Sequence, residues 1–329
     1  MLQCFGIENG SIVPREAGTA TILVFTNPDE AEKRALVDGH GVDPHDLASA
    51  LDPDELGRID SSERHADIIV KRPRNYSGGE NLLFTVASLG IFFRERGRLV
   101  IVASDDQPLF EERTGLKVRD GKDVILKILY GTISHFLGHL RTINALSESL
   151  EKRLTTSMES RRLLDMFTLG KSLVYFVNGI DSNQAVLEKM RTDADDLGFS
   201  ASQLETLDEV LIENRQCAKQ AEIYSSILTG LMDARFSIVN ANLNTLMKRL
   251  TIISVIFMPL NLLAGIGGMS EFSAWTQGMP WWAAYGFFVL GLVPIAFLTW
   301  MVLERTGRDR AAEKVRRPAR RSPGAQLSA

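Results

Sequence analysis

Counting from Asp233 in alternating steps of four and three gives Asp233, Ser237, Asn240, Asn244, Met247, Thr251, Ser254, Met258, Asn261, Gly265 and Gly268. This spacing places them all on one face of a helix. Every member is polar, small or a thioether, where a usual heptad seam is Leu, Ile or Val. The other faces carry Leu243, Leu246, Leu250, Ile252, Ile253, Val255, Ile256, Leu260, Leu262 and Leu263. A polar stripe on an apolar helix must face something polar. One helix encloses nothing, but several copies around an axis would turn the stripe toward a water-filled path. Rings of Asn and Ser would offer neutral oxygens, rings of Met a hydrophobic constriction, and a ring of Asp233 negative charge at the inner mouth. Small divalent cations shed water reluctantly, so neutral oxygen rings suit an ion that keeps part of its hydration shell. The alternative is that Asn, Ser and Gly simply join two membrane helices. The continuation of the stripe back to Asp233, below the apolar run, favours the axis.

The elements that would position this stripe are two uncharged runs, Leu250–Gly268 and Trp281–Leu303. Each approaches or exceeds the roughly 20 residues that span a bilayer. Pro259 and Pro294 lie inside them, as membrane helices tolerate, and Trp275, Trp281, Trp282 and Trp300 lie at or near their ends, as interfacial aromatics do. Arg235, Lys248 and Arg249 precede the first run. Arg305, Arg308, Arg310, Lys314, Arg316, Arg317, Arg320 and Arg321 follow the second. The loop between them has neither Lys nor Arg, so both termini are expected in the cytoplasm and the loop outside. The Arg-rich tail, with Pro318 and Pro323, is expected to be disordered, either as a topology signal or lying against anionic headgroups.

The body before Leu250 is ordinary and charged. With 329 residues and a net charge of −4, the chain gives no reason to expect a nucleic-acid partner. Cys4 and Cys217 lack metal or redox spacing, which suits a reducing cytosol. No basic stretch followed by an apolar core opens the sequence, so no signal peptide is expected. Strands are expected at Thr19–Thr26, Ala66–Lys71, Leu82–Phe93 and Leu99–Ala103, the last two as a hairpin, with Tyr76–Gly79 and Glu95–Gly97 as turns. Helices are expected from Asn27–Glu30 to about Asp38 and over Asp43–Leu51, and then over Val124–Met158, Ser160–Asp195 and from Ser200, a candidate N-cap, into the membrane. The expected organisation is an α+β cytoplasmic domain (1–122), a helical bundle and stalk helix (123–249), a first membrane helix (250–268), a periplasmic loop (269–280), a second membrane helix (281–303) and a basic tail (304–329).

Other candidate chemistry is thinner. His135 and His139 share one helix face and could bind Zn²⁺, although Phe136 and Leu140 beside them suggest packing. Glu188, Asp193, Asp195, Asp196, Glu205, Asp208 and Glu209 form either a solvated face or a regulatory cation site. Gly78-Gly79 and Gly267-Gly268 lack the Gly-Lys-Ser/Thr of a phosphate loop, and no Gly-x-Ser-x-Gly occurs. An enzyme is not expected, nor a bound cofactor.

The segment Leu246–Ser270, LMKRLTIISVIFMPLNLLAGIGGMS, resembles the first membrane helix of the CorA-type divalent-cation transporters. The resemblance rests on Met247-Lys248, Leu250-Thr251, Met258-Pro259, Ala264-Gly265 and Gly268-Met269. Upstream, Gly230-Leu231-Met232-Asp233 resembles the family's stretch with an acidic pore-entrance residue. The resemblance implies a funnel-shaped homopentamer in a bacterial-type inner membrane. It also implies a pore lined by Asp233, Asn244, Met247, Leu250, Met258, Asn261, Gly268 and Ser270, with Mg²⁺ or Zn²⁺, and in some members Co²⁺ or Ni²⁺, as cargo. Asp233, Asn244, Asn261 and Ser270 would meet the hydrated ion. The family motif is Gly-Met-Asn, whereas this chain has Gly268-Met269-Ser270. Serine keeps a hydroxyl but lacks the amide, and Asn261 offers an amide one level inward. The zinc-transporting branch and the branch named CmaX are both similar in layout. A membrane-tethered cation sensor or scaffold that no longer conducts is the second functional reading.

Overall fold

The computed structural model describes residues 1–62, 65–75, 82–94, 97–110, 116–154, 160–269, 274–275 and 277–316. The chain divides into two compact units, Met1–Ala234 and Arg235–Ala329.

The first unit is built on a seven-stranded mixed sheet of order β2-β1-β3-β7-β6-β5-β4. Its strands are β1 (Leu2–Glu8), β2 (Ser11–Pro14), β3 (Ile22–Thr26), β4 (Arg58–Ser62), β5 (His65–Pro73), β6 (Val86–Arg94) and β7 (Arg98–Ala103). β3 and β7 run parallel, and all other neighbours are antiparallel. The run Leu99–Ala103 is apolar throughout because both faces of the sheet are covered. Leu99 and Ile101 join one core with Ile68, Val70, Leu89 and Ile91, and Val100 and Val102 join a smaller one with Phe25, Leu36, Leu47 and Phe92. Alternate residues of a strand point to opposite faces.

Helices α1 (Glu30–His40) and α2 (Pro44–Leu51) supply the smaller core. Asp29 caps α1 in a capping box with Glu32, and Asp43 caps α2 ahead of Pro44. The larger core is shared with α3 (Gly121–Leu154) and α4 (Ser160–Thr192), through Leu126, Leu129, Phe136, Leu173 and Phe176. Where β4 ends, α4 takes over the edge of β5. The Asn183 amide accepts from Lys71 N–H and donates to Lys71 C=O, both at 2.7 Å, and Ser182 Oγ accepts from Gly57 N–H at 2.6 Å.

Three elements were not expected from sequence. β1 and β2 form a hairpin whose turn is Asn9-Gly10, both at positive φ (50° and 80°). Asn-Gly is a strong hairpin signal. β4, Arg58-Ile59-Asp60-Ser61-Ser62, is a polar edge strand with no apolar alternation to reveal it.

Helix α5 runs from Ala201 to Gly267. Ser200 and Gln203 form its capping box, with Ser200 N–H donating to Gln203 Oε1 at 3.0 Å and Gln203 N–H to Ser200 Oγ at 3.4 Å. The second unit holds the end of α5 and helix α6 (Trp281–Arg316). α6 passes Leu303, where a disordered tail was expected. Residues 304–316 are rich in Ala, Glu, Lys and Arg, which favour helix. The rest of the basic tail lies outside the described residues.

Candidate functional site

Within the first unit, the buried positions of α5 are Gln203, Leu207, Val210, Asn214, Cys217, Ala221 and Leu228, with Leu211 beside them. Their spacing of four and three makes one stripe, which packs on the rest of the unit. Asn214 Nδ2 donates to Ile180 C=O and to Gln184 Oε1 on α4. Asp233 stands five residues beyond Leu228, about 140° further round the helix at roughly 100° per residue. It is exposed, on the side turned away from the buried row. Counting back from Asp233 with the same spacing gives Gly230, Ser226, Ile223 and Lys219, all exposed. The open face therefore starts below Asp233, a continuation the sequence spacing contained but did not reveal without the burial pattern.

In the second unit, Ser237, Asn240, Asn244, Met247, Thr251, Ser254, Met258, Asn261 and Gly265 all lie on α5, and all are exposed. Leu250, beside Thr251, is exposed too. Gly268 and Met269 follow the last helical turn and are exposed; Ser270 lies outside the described residues. From Thr251 to Ile266, the partly covered positions are Ile252, Ile256, Pro259, Leu260 and Leu263. Their mean direction is roughly 160° from that of Thr251, Ser254, Met258, Asn261 and Gly265, at about 100° per residue. The polar stripe is thus the side of the helix furthest from its own chain's cover.

Thr251 Oγ1 donates to Met247 C=O at 2.8 Å. With the hydroxyl proton used inside the helix, the oxygen presents lone pairs outward. Outward lone pairs suit the waters of a hydrated cation, which donate to them. Around the stripe, Leu243, Leu246, Ile253, Phe257, Leu262 and Ile266 are exposed large apolar side chains. A helix exposed and apolar on its remaining sides is dressed for lipid rather than water. α5 and the Trp281–Met301 part of α6 each reach a mean hydropathy of 1.8 over 18 residues, long and apolar enough to cross a membrane.

The other candidates sort differently. His135 and His139 stack with ring centroids 4.6 Å apart, and His139 lies against Phe84 and Phe176. Burial and then His135 push the His139 pKa down to about 4; burial and then Arg72 lower that of His135. Among the described residues no group of three or more His, Cys, Asp or Glu could hold a metal ion. Of the carboxylates, Asp208 pairs with Arg191 at 2.6 Å, Glu188 with Arg215 at 2.9 Å, and Asp193 accepts from Ser61 at 2.7 Å.

Known proteins match over nearly the whole chain. The "Cobalt/magnesium transport protein CorA" of Methanocaldococcus jannaschii is 25% identical over 259 residues, covering 74% of this chain and 78% of that protein. The complete structure of the CorA magnesium transporter from the same organism superposes with a TM-score of 0.72 at 20% identity, covering 94% of this chain and 97% of that one. The full-length CmaX protein superposes with a TM-score of 0.65 at 14% identity, over 92% and 96%. The family model described as "CorA-like Mg2+ transporter protein" matches residues 18–305. With that match across both units, the chain belongs to the CorA-like Mg²⁺ transporter family.

Proposed function

We propose that copies of this chain assemble around an axis, as a homopentamer, and conduct divalent cations along the stripe from Asp233 to Gly268 and past Ser270 in the outer motif. The observation that carries this is the direction of the stripe: polar, exposed, and opposite the partly covered side of its own apolar helix. The cytoplasmic body would be 1–122, followed by the bundle and stalk helix at 123–249. The pore-lining span would be 250–268, about 28 Å at roughly 1.5 Å per residue, with the second span at 281–303. The loop at 269–280 would be periplasmic and both termini cytoplasmic, in an inner membrane whose lipids meet the apolar faces. The cargo would be Mg²⁺ or Zn²⁺, as transported substrate rather than cofactor, with Co²⁺ and Ni²⁺ as further candidates. Mg²⁺ keeps several waters when bound. Rings of Asn240, Asn244, Thr251, Ser254, Asn261 and Ser270 oxygens would hold that shell by hydrogen bonds. Met247 and Met258 would narrow the path between them. Asp233 would raise the local cation concentration at the inner mouth.

Purified oligomer in liposomes with an internal divalent-ion reporter tests this. Flux is expected, and Asp233→Ala and Asn244→Ala are expected to change it. A confirmed oligomer that passes none of Mg²⁺, Zn²⁺, Co²⁺ or Ni²⁺ would instead fit the non-conducting sensor or scaffold, the second reading that Ser270 in place of the family's Asn keeps open.

A further inference from the structure

At the C-terminal end of β5 the sequence reads Lys71-Arg72-Pro73-Arg74, three cations in four residues. Lys71 and Arg72 are each only 4% exposed. Charges so buried are costly unless compensated. Arg72 is paired with Asp105, which also lies 3.9 Å from Arg74 Nε. That is too long for a hydrogen bond. Among the described residues, Arg74 Nε and Asp105 Oδ2 are both buried without a hydrogen-bond partner. Burial lowers the pKa of His135, with Arg72 as the second cause, and that of His139. Lys71 Nζ donates to Pro53 C=O at 2.7 Å and to Ser88 Oγ at 2.9 Å. An ammonium has three hydrogens, so one remains. The carboxylates that act on Lys71 are Asp52, Asp54 and Glu55, on the turn before β4. Asp52 already accepts from Asp54 N–H, and Glu55 pairs with Arg58.

Lys71 and Arg74 line one cavity of about 300 Å³, open to solvent between that turn, the end of β5 and α4. Thr85 and Asn178 add polar groups to its wall, and Leu56 and Tyr175 add apolar surface. Lys171 Nζ sits 5.6 Å from the Tyr175 ring centroid, which adds positive potential on that side. Asp54 also lines the cavity and is exposed, so it disfavours a long polyphosphate. Guanidinium and ammonium groups together with an aromatic ring in one cavity wall fit one chemistry. We propose that this cavity binds a small phosphate monoester carried on a planar ring, of nucleoside monophosphate size, with Lys71 and Arg74 on the phosphate and Tyr175 against the ring.

The test uses the full chain in detergent, in buffer freed of divalent cations by EDTA so that ion binding elsewhere does not contribute. Isothermal titration is run with AMP, adenosine and inorganic phosphate. AMP is expected to bind saturably, with phosphate weaker and adenosine unable to displace it. Arg74→Gln is expected to weaken AMP by about tenfold or more, as losing a charged hydrogen bond does. Tyr175→Ala is expected to weaken AMP while leaving phosphate unchanged. Both residues lie at the cavity rather than deep in the core, so these variants test the site without the folding risk of replacing Lys71. Non-saturable AMP titration overturns the proposal. So does AMP affinity unchanged in Arg74→Gln, or full displacement by adenosine. Ion flux is not read, so the outcome is independent of the conduction proposal.

Discussion

Replacing Asn183 by Leu tests how α4 completes the sheet. β4 pairs with β5 only as far as Arg58 opposite Ile69. Beyond that point Lys71 N–H and C=O face the edge with no strand beside them. The Asn183 side chain, 2% exposed, satisfies both at 2.7 Å. In Asn183→Leu the branched outline is kept and the side chain is larger, so no cavity forms, but two buried backbone groups lose their partners. Each orphaned group costs about 1–3 kcal/mol, so the loss is about 2–6 kcal/mol. For a unit of this size, 1 kcal/mol is about 2–4 °C in Tm, so the midpoint should fall by about 5–20 °C. Asn183→Ala removes the same bonds but leaves room for a water to bridge Lys71 N–H and C=O. It should therefore be the milder change, the reverse of the order that apolar burial alone would give. Tryptophan fluorescence would report on the wrong unit, because all four Trp residues lie between Trp275 and Trp300. Thermal labelling of Cys217, fully buried in the first unit, is the suitable readout, in a Cys4→Ser background. A Leu variant within about 2 °C of the parent, or one more stable than the Ala variant, would refute the reasoning.

Three further outcomes are expected. His139 is a base whose folded pKa, about 4, lies below its ordinary 6.5 because of burial and then His135. The unfolded chain therefore takes the proton first as pH falls. Stability from this group should be intact above about pH 6.5 and lost toward pH 4, by about 1–2 kcal/mol after allowing for its partial exposure. Denaturant melts at stepped pH check this, and a His139→Gln variant with the same slope would count against it. Thr251→Val keeps the shape and removes the outward oxygen whose proton goes to Met247 C=O. Divalent flux should fall severalfold with helix content and assembly unchanged, as should flux in Asn261→Ala; uptake equal to parent in both would contradict the pore assignment. In Gly90→Ala the added Cβ would lie 2.5 Å from Ala50 Cβ and 2.9 Å from the Phe92 ring. Overpacking there should cost about 1–3 kcal/mol, with Ala50→Gly restoring part of it in a chemical-denaturation double-mutant cycle.

What could be read before the structure followed from how strongly each residue's setting is written in its neighbours. Leu99–Ala103 is buried on both faces, so its strand shows as an unbroken apolar run. Asn27–Glu30 and Ser200 announce helix starts because capping is local chemistry, and the structure adds Glu32 and Gln203 as the capping partners. β4 was hidden because an edge strand paired on one side needs few apolar residues. The first hairpin was overlooked although Asn9-Gly10 advertises its turn. The stripe on α5 was legible because only its spacing mattered. Its direction was not. Between Leu250 and Gly268 every other face is apolar, and only the partial cover at Ile252, Ile256, Pro259, Leu260 and Leu263 says which side looks inward to the chain. Asn183 was invisible for another reason, since its partners lie 112 residues away.

The seven-residue repeat on α5 carries a consequence for the proposed assembly. From Asp233 to Gly268 the repeat runs through five heptads. A straight α-helix drifts about 20° per heptad against a 3.5-residue period, so over this length the stripe would rotate by about 100°. Residues at the two ends would then point in directions nearly at right angles. A single axis can be lined from Asp233 to Gly268 only if the helices wind around it with a left-handed supercoil. Pro259 sits within this stretch, on the partly covered side, where the carbonyl it leaves without a donor favours a local bend. Where winding is incomplete, the residue beside the stripe turns toward the axis. In the proposed assembly Leu250, the exposed neighbour of Thr251, would be such a position.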